Sequence, residues 1–181
     1  NAHAVNQGEP PRLDNGQGDF FFLCRRSPDR LVQTVVELYR ERLPRNMGIP
    51  TEQIQVLSPT RKGACGTAAL NRALQAALNP PAAGRRQKQW GDVTFRMGDR
   101  VMQTRNNYDV IWEKDDGTAG SGIFNGDVGV IQDIDPSGEL IVIRFDDRTA
   151  TYTADMLAQL DMAYAITVHK SQGSEYPAVI L

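Results

Sequence analysis

The sequence predicts a mixed α/β fold in which a small antiparallel β-barrel is inserted into a domain built on a parallel sheet. Over residues 1–90, apolar strand patterns alternate with amphipathic helix patterns, which is typical of a parallel sheet with helical crossovers. From Gly91 to about Tyr152 the pattern changes to short strands and tight turns, which is typical of a small barrel. After Leu157 the α/β pattern returns, so the first domain is predicted to be discontinuous.

Local signals place the elements of the α/β part. Residues 1–19 are rich in Gly, Pro and Asn and are expected to run over the surface. Ser27-Pro28-Asp29 combines a cap, a proline and an acidic residue, which indicates a helix start. That helix is expected to continue to about Arg42 and to end at Leu43-Pro44. The other elements are a buried strand at Phe20 to Cys24, a short strand at Ile54 to Leu57 and a helix from about Gly66 to Leu78.

The barrel strands are predicted from alternation and from turn residues. D-P-S-G and D-D-R are hairpin-like turns between the last three strands. The predicted strands are Arg100 to Thr104, Val128 to Ile134, Glu139 to Phe145 and Arg148 to Thr153. Leu140 to Asp146 also mimics a strand that ends in a magnesium-binding acid, but we interpret it as a barrel strand ending in a turn. Trp90 and Trp112 are interpreted as packing aromatics.

Composition narrows the class of protein. Of the 181 residues, 40% are hydrophobic and 23% are charged, which is ordinary for a globular protein. Neither a membrane-length apolar run nor a signal peptide is recognised, so a cytoplasmic location is expected. Cys24 and Cys65 lack metal-ligand spacing and His3 and His169 lie far apart in the sequence, so no metal site is predicted.

The net charge of −2 conceals an uneven distribution. Residues 1–90 carry 13 Lys and Arg against 7 Asp and Glu, whereas residues 91–181 carry 7 against 15. A chain that is not basic overall is not expected to bind DNA non-specifically over its whole surface. A local basic track remains compatible with DNA binding, because counterion release depends on the charges at the groove.

A cluster of polar residues near the carboxyl end, Thr167 to Glu175, lies between two apolar stretches. Asp161 is expected to cap a short helix that starts near Met162, and Gly173 to end it in the left-handed conformation. Ala178 to Leu181 is expected to form a buried parallel strand. Donors at a helix-to-strand junction beside a sheet bind phosphates and bases in α/β domains. The alternative is an ordinary cap and loop.

Two further segments carry candidate binding residues. Ser58 to Gly63 follows a strand and precedes a helix, so backbone N–H groups, hydroxyls and cations are expected there to hold a DNA phosphate. Asn71 is expected to tie that helix to a neighbouring loop. Arg105 to Asp109 offers two amides and an aromatic ring for nucleic-acid contact. The alternatives are a solvated loop for the first segment and an Asn-Asn turn for the second.

Several blocks resemble superfamily 1 helicases of the RecD-like and TraA-like branch. T-V-H-K-S-Q-G-S-E (Thr167 to Glu175) resembles the motif called V of that superfamily. The other blocks stand before it in the expected order: V-L-S-P-T-R-K-G-A-C-G-T-A-A-L-N (Val56 to Asn71), G-D-R-V-M-Q-T-R-N-N-Y-D (Gly98 to Asp109) and N-G-D-V-G (Asn125 to Gly129). N-A-H-A-V-N-Q-G, at the start, is similar to the stretch after the family's F-R-Q element. The resemblance covers essentially the whole chain.

The resemblance implies a RecA-like second motor domain, incomplete here, formed by residues 1–90 and 154–181. Residues 91–153 would be an inserted Src-homology-3-like barrel. The sequence has no P-loop of the form G-x-x-x-x-G-K-[ST], and the family places that loop earlier in a longer protein. The chain is therefore expected to be inactive as an ATPase alone, with ATP and Mg²⁺ as cofactors of the full-length protein.

The candidate segments and the resemblance together give site residues and partners. The predicted DNA-binding residues are Ser58, Thr60, Arg61, Lys62, Asn107, Tyr108, Thr167, His169, Lys170 and Ser171. The nucleotide-binding residues would be Gln172, Gly173, Ser174 and Glu175, with Glu175 accepting from a ribose hydroxyl. The expected partners are single-stranded DNA, the first motor domain of the same chain and, as in exodeoxyribonuclease V, other nuclease-helicase subunits.

The sequence therefore predicts part of an ATP-dependent DNA helicase, for which the resemblance implies 5′-to-3′ movement. Two alternatives stay open. One is the motor part of a conjugative relaxase-helicase, which would carry a strand-nicking domain elsewhere. The other is a non-enzymatic adaptor that binds DNA or protein through the barrel.

Overall fold

The structure is a computed structural model that describes residues 2–11, 13 and 18–181. Parts of the predicted surface segment, residues 1–19, lie outside the described residues. The helices are α1 (Ala2–Asn6), α2 (Pro28–Glu37), α3 (Leu43–Met47) and α4 (Thr67–Leu78), with a π-helical turn, Leu38–Arg42, between α2 and α3. Shorter 3₁₀ turns span Thr51–Gln53, Ala154–Gln159 and Val168–Ser171. None of the helices in the described parts of the chain is long and apolar enough to cross a bilayer.

The strands form one parallel and one larger antiparallel sheet. The strands are β1 (Ile54–Ser58), β2 (Gln87–Trp90), β3 (Val93–Arg96), β4 (Arg100–Gln103), β5 (Asn107–Lys114), β6 (Ala119–Ile123), β7 (Val128–Ile134), β8 (Leu140–Phe145), β9 (Arg148–Thr153), β10 (Leu160–Met162), β11 (Ala165–Thr167) and β12 (Ala178–Ile180). The parallel sheet has the order β11-β1-β12, the antiparallel sheet has the order β10-β4-β7-β8-β9-β5-β6, and β2 and β3 form a separate hairpin. This confirms the predicted fold class.

Each sheet has its own apolar core. Helix α2, the π-helical turn after it and helix α4 bury apolar side chains in one cluster with β1, and Tyr39 of the turn and Leu74 of α4 are among the most buried. The antiparallel sheet encloses a separate cluster that includes Ile131, Ile143 and Tyr152. Alternate residues of β8 point into this cluster, because successive side chains of a strand face opposite sides of the sheet. In β7 a register irregularity after Ile131 puts Ile131 and Ile134, three residues apart, in the same cluster.

Polar side chains join the two sheets. Asp99 is fully buried and accepts hydrogen bonds from Gln75 and Asn79 of α4 and from the Tyr164 hydroxyl. The neighbouring Arg100, the first residue of β4, donates to the Tyr39 hydroxyl and to the Ile54 carbonyl, both at 3.0 Å. These contacts hold the start of the antiparallel sheet against the helices of the parallel sheet.

Two predictions in the amino-terminal half are wrong. Phe20 to Cys24 is extended but forms no strand, and Phe20 to Leu23 are between 37% and 52% exposed. Strands β11 and β12 lie on either side of β1, so both positions beside β1 are occupied and the apolar run cannot pair there. Pro44 does not end the preceding helix, because it lies in the first turn of α3, where a proline needs no hydrogen-bonded N–H. Gly48, at φ +65°, marks the end instead.

Two predictions near the carboxyl end also need correction. The helix expected near Met162 is absent from this fully described stretch, where β10 and β11 form instead. Pairing with β4 and β1 outweighs the local helix signal, and Asp161 accepts from Arg61 rather than capping a helix. The last strand is parallel as predicted, but Val179 is 48% exposed because β12 forms an edge of the described sheet.

The barrel strands were predicted well, except where the signal is weak. The predicted strands correspond to β4, β7, β8 and β9. Both hairpins β2–β3 and β5–β6 were missed, and the latter contains an irregular register between Asn107 and Ile111. Antiparallel pairing also extends beyond residues 91–153, to β2 on one side and β10 on the other.

Candidate nucleic-acid interface

Two of the predicted binding segments lie side by side at one edge of the parallel sheet. Strands β1 and β11 are parallel neighbours, and Ser58 and Thr167, their last residues, are register partners. The carboxyl ends of parallel strands meet at the same edge of a sheet, which is where α/β domains bind ligands. The loop after Ser58 and the turn after Thr167 therefore share one surface.

The first loop is held in shape by its own hydroxyl groups. Ser58 is buried, and its hydroxyl donates to the carbonyls of Thr60 (3.2 Å) and Cys65 (3.0 Å). The Thr60 hydroxyl donates to the Lys62 carbonyl at 3.1 Å. The side chains of Arg61 and Lys62 remain exposed. The hydroxyls shape the loop, and its cations are left to face a ligand.

The expected phosphate site on backbone N–H groups at the start of α4 is wrong. The Thr67 N–H donates to the Thr60 carbonyl (3.0 Å) and the Ala68 N–H to the Arg61 carbonyl (3.2 Å). The loop packs so closely here that a Cβ on Gly66 would lie 2.4 Å from the Lys62 oxygen. The helix start is therefore occupied by the loop that precedes it.

Arg61 is paired within the protein. Its guanidinium donates to the Asp161 carboxylate at 2.9 Å, and the two side chains are 69% and 36% exposed. An ion pair this exposed is weak, on the order of 0–1 kcal/mol, so a phosphate can compete with the carboxylate.

The second segment forms a capped 3₁₀ turn. The Thr167 hydroxyl accepts from the Lys170 N–H at 3.3 Å, and the Ser171 hydroxyl donates to the Val168 carbonyl at 2.8 Å. Gly173 has φ +82°, the left-handed conformation that was predicted for it. His169 is exposed at the apex of the turn.

Lys170 connects this turn to the antiparallel sheet. Its ammonium group donates to the Asn125 side-chain oxygen at 2.6 Å. The Asn125 N–H in turn donates to the Asn106 side-chain oxygen at 3.0 Å. Asn106 and Asn125 lie in the loops β4–β5 and β6–β7, so three sequence blocks that are far apart in the chain meet at this point.

An exposed aromatic pair flanks the two asparagines. Tyr108 is 66% exposed and contacts the 39% exposed Phe124 edge to face, with 5.6 Å between ring centroids. The amide of Asn107, by contrast, is engaged inside the fold, where it donates to Gln159 at 2.9 Å. Asn106 is one of the two amides predicted for nucleic-acid contact, whereas Phe124 and Asn125 were not predicted as site residues. The block N-G-D-V-G was the only signal near Phe124 and Asn125, and it does not reveal what they contact.

The predicted nucleotide-binding residues lie farther along the same segment. Gln172, Gly173, Ser174 and Glu175 are all exposed. Glu175 lines an open cleft of about 910 Å³ between the two sheets, together with Tyr39, Arg100, Tyr164 and Tyr176. Of the described residues predicted to bind DNA, none lines this cleft. The two proposed ligands would therefore meet different sides of the segment.

Two buried groups at the sheet junction have shifted pKa values. Burial raises the pKa of Asp99, although hydrogen bonds from Asn79, from the Arg96 N–H, from Gln75 and from Tyr164 partly oppose the shift. Burial, and then the neighbouring Asp99 charge, raise the pKa of the Tyr164 phenol. Asp99 contacts α4, the β3 end and the β10–β11 connection, so its role is structural.

The remaining interpretations of single residues have mixed outcomes. Asn71 ties α4 to the β10–β11 connection as predicted: its side chain donates to the Met162 and Ala165 carbonyls and accepts from the Ala165 N–H. Trp112 packs against the barrel core as predicted, whereas Trp90 is 39% exposed. Leu140–Phe145 is a barrel strand, with Asp146 in the turn after it.

Comparison with known proteins finds helicase families over two parts of the chain. Residues 70–145 match the family described as the ATP-dependent RecD-like DNA helicase SH3 domain, and residues 162–181 match the UvrD-like helicase C-terminal domain. The chain is 34% identical over 179 residues to the ATP-dependent RecD2 DNA helicase of Deinococcus radiodurans. This alignment covers 99% of the present chain. The chain therefore carries a segment like the SH3 domain of RecD-like helicases and a segment like the UvrD-like helicase C-terminal domain.

Other relatives of this chain are more distant. An uncharacterized protein of Methanocaldococcus jannaschii is 24% identical over 87% of the chain. The chain spans only 22% of the Deinococcus protein and 14% of the Methanocaldococcus protein.

Solved structures of Bacteroides Pif1 are also similar. The complex with ADP-AlF3 and single-stranded DNA has a TM-score of 0.45 at 15% identity and covers 89% of this chain and 44% of that one. The complex with single-stranded DNA has a TM-score of 0.40 at 16% identity, with 70% and 33% coverage.

Proposed function

We propose that this chain is the second motor domain, with an inserted barrel, of an ATP-dependent helicase that moves 5′-to-3′ on DNA. In this proposal the domain binds single-stranded DNA at the carboxyl edge of its parallel sheet. The observation that carries it is the pairing of Ser58 with Thr167, which places two loops with cationic side chains on one surface. The similarity to the RecD2 helicase and the match to the RecD-like SH3 domain support the same activity for the longer protein.

In this model the predicted DNA-binding residues divide into contacts and supports. Side chains that are exposed would contact phosphates or bases: Thr60, Arg61, Lys62, Tyr108, His169 and, half-buried, Lys170. Ser58, Asn107, Thr167 and Ser171 would shape the loops through the internal hydrogen bonds already described. Phosphate contacts position a strand without reading its sequence, and base stacking tolerates any base, so little sequence preference is expected.

The nucleotide would be ATP with Mg²⁺, held mainly by the first motor domain of the full-length protein. Gln172, Gly173, Ser174 and Glu175 would face it from this domain, with Glu175 accepting from a ribose hydroxyl. Because Lys170 and Glu175 belong to one short segment, movement of that segment on ATP binding would change the grip on DNA. Other nuclease-helicase subunits are further partners in this proposal.

The DNA-binding surface can be tested by fluorescence anisotropy with labelled single-stranded DNA at two salt concentrations. Replacing Arg61 and Lys170 together by Ala should weaken binding roughly tenfold and should lower the salt slope by about two, since each cation displaces about one counterion. The matched control is Arg42→Ala with Arg45→Ala, which removes the same charge near the amino end of β1. Equal losses in both double variants would contradict a localised surface.

The ribose contact needs the longer protein, because this chain has no P-loop. Glu175→Ala should raise the KM for ATP in DNA-stimulated hydrolysis and leave single-stranded DNA affinity within about twofold. Unchanged ATP kinetics in this variant would exclude the ribose role.

A further inference from the structure

The contact between Lys170 and Asn125 has features that the proposed DNA binding does not by itself require. Asn125 is exposed in the β6–β7 loop, 45 residues before Lys170 in the chain, and the donor–acceptor distance is 2.6 Å. The loop is held from the other side, because the Asn125 N–H donates to Asn106 at 3.0 Å. The barrel thus supplies a fixed acceptor for a flexible cation of the parallel-sheet domain.

The acceptor is an amide and not a carboxylate, which has an electrostatic consequence. A lysine ammonium has three N–H donors, and Asn125 occupies one of them without neutralising the charge. Two donors and the whole positive charge stay available for a phosphate. Arg61 differs, because its partner Asp161 is an anion that cancels its charge until a ligand displaces it.

The nearest carboxylate in the same loop is directed elsewhere. Asp127 accepts from the Phe124 N–H at 3.1 Å and from Arg148 at 3.2 Å. Its charge is therefore balanced by Arg148, on the barrel side of the loop. This arrangement leaves Asn125 as the group that the loop presents to Lys170.

We infer that Asn125 is a positioning residue that holds the Lys170 ammonium for a DNA phosphate while preserving its charge. The inference rests on the proposed DNA binding and deepens it, since it assigns to the inserted barrel the alignment of a cation in the motor domain. Because the exposed Tyr108–Phe124 pair lies beside the same loop, the aligned phosphate would belong to a nucleotide at the boundary between sheet edge and barrel.

The test is a double-mutant cycle measured by anisotropy with labelled single-stranded DNA. Asn125→Ala in the parent should weaken binding roughly three- to tenfold, the range expected for the loss of one ordinary solvent-exposed hydrogen bond. In a Lys170→Ala background, the same substitution should change affinity by less than about twofold, because nothing remains to be positioned. Asn46→Ala, an exposed asparagine in α3, is the matched control.

Asn125→Asp separates positioning from charge. The carboxylate keeps the acceptor but neutralises the lysine, so binding should weaken and the salt slope should fall by about one, the share of one phosphate contact. Thermal unfolding of each variant within a few degrees of the parent would show that the loop still folds.

The outcomes distinguish the proposed DNA-binding surface from the positioning role of Asn125. If Lys170→Ala leaves DNA binding unchanged, the proposed DNA surface fails and the inference fails with it. If Lys170→Ala weakens binding but Asn125→Ala does not, or weakens it equally in both backgrounds, only the positioning role is overturned. Parent-like affinity and slope in Asn125→Asp would overturn the argument from charge.

Discussion

Replacing Asp99 by Asn tests how the two parts of the chain are joined. The Asp99 carboxylate is fully buried and accepts four hydrogen bonds. One oxygen accepts from Gln75 (2.6 Å) and the Arg96 N–H (2.7 Å). The other accepts from Asn79 (2.7 Å) and the Tyr164 hydroxyl (2.9 Å). An asparagine must turn an NH₂ group toward one of these pairs of donors.

Neighbouring groups limit how the structure can adapt. The Gln75 amide also donates to the Thr94 carbonyl (2.7 Å), and the Asn79 amide to the Met97 carbonyl (3.0 Å). Turning either amide over would bring two oxygens together. The Tyr164 hydroxyl can rotate to accept, so the least costly arrangement retains one donor–donor contact, with Asn79.

The expected loss of stability in Asp99→Asn follows from the hydrogen bonds that this arrangement loses. One hydrogen bond to a charged group is lost and one buried donor is left unpaired, each worth about 1–3 kcal/mol. Removing the buried charge offsets part of this loss, because burial already disfavours the ionised form and raises the pKa of Asp99. We expect Asp99→Asn to lower the free energy of unfolding by about 2–3 kcal/mol at neutral pH.

Urea unfolding monitored by circular dichroism measures this difference, with Asp109→Asn, an exposed carboxylate in the barrel, as the control. The difference should also depend on pH. Since the folded-state pKa of Asp99 is raised, the parent gains stability as pH falls through that value toward the ordinary 3.8, and Asp99→Asn does not. The difference in free energy of unfolding between the parent and Asp99→Asn should therefore increase as the pH is lowered. A variant within about 0.5 kcal/mol of the parent, or a gap that narrows with acid, would refute the reasoning.

Two further predictions concern the barrel. The Leu140 N–H and the Ser137 hydroxyl both donate to the Asp135 carboxylate and lower its pKa to about 2. The contribution of Asp135 to stability should therefore be present above pH 3.8 and be lost as the pH falls through about 2. An NMR titration should show this lowered pKa, and Ser137→Ala should raise it. A carboxyl that titrates at its ordinary value would contradict the turn geometry. A Cβ on Gly120 would lie 2.4 Å from the Trp112 ring, so Gly120→Ala should cost about 1–3 kcal/mol in urea unfolding, whereas the adjacent exposed Ser121→Ala should cost little.

Local signals in the sequence were sufficient for the strands that are apolar on alternate residues and bounded by turn residues. Strands β7, β8 and β9 meet both conditions, and so they were located within a residue. The run at Phe20 to Cys24 is just as apolar but forms no strand, because a strand also needs a partner strand, and an apolar pattern alone does not identify one.

The candidate site shows the same division. Its two loops were predicted, because the residue types that bind phosphate stand in short contiguous runs. The sequence did not predict that the Thr60 and Arg61 carbonyls accept hydrogen bonds from the first N–H groups of α4. It also did not predict the hydrogen bond from Lys170 to Asn125. A list of donors does not show which of them are already satisfied by the protein itself.

The sequence by itself determined the similarity to RecD-like helicases, the alternation of α/β and antiparallel parts, and the chemical character of the loops, because these depend on residues close together in the chain. Only the tertiary structure decided that Ser58 and Thr167 end adjacent strands and that Lys170 reaches the barrel. Such contacts join residues from about 45 to more than 100 positions apart. They depend on how the sheets pack, through the buried groups around Asp99 and Arg100.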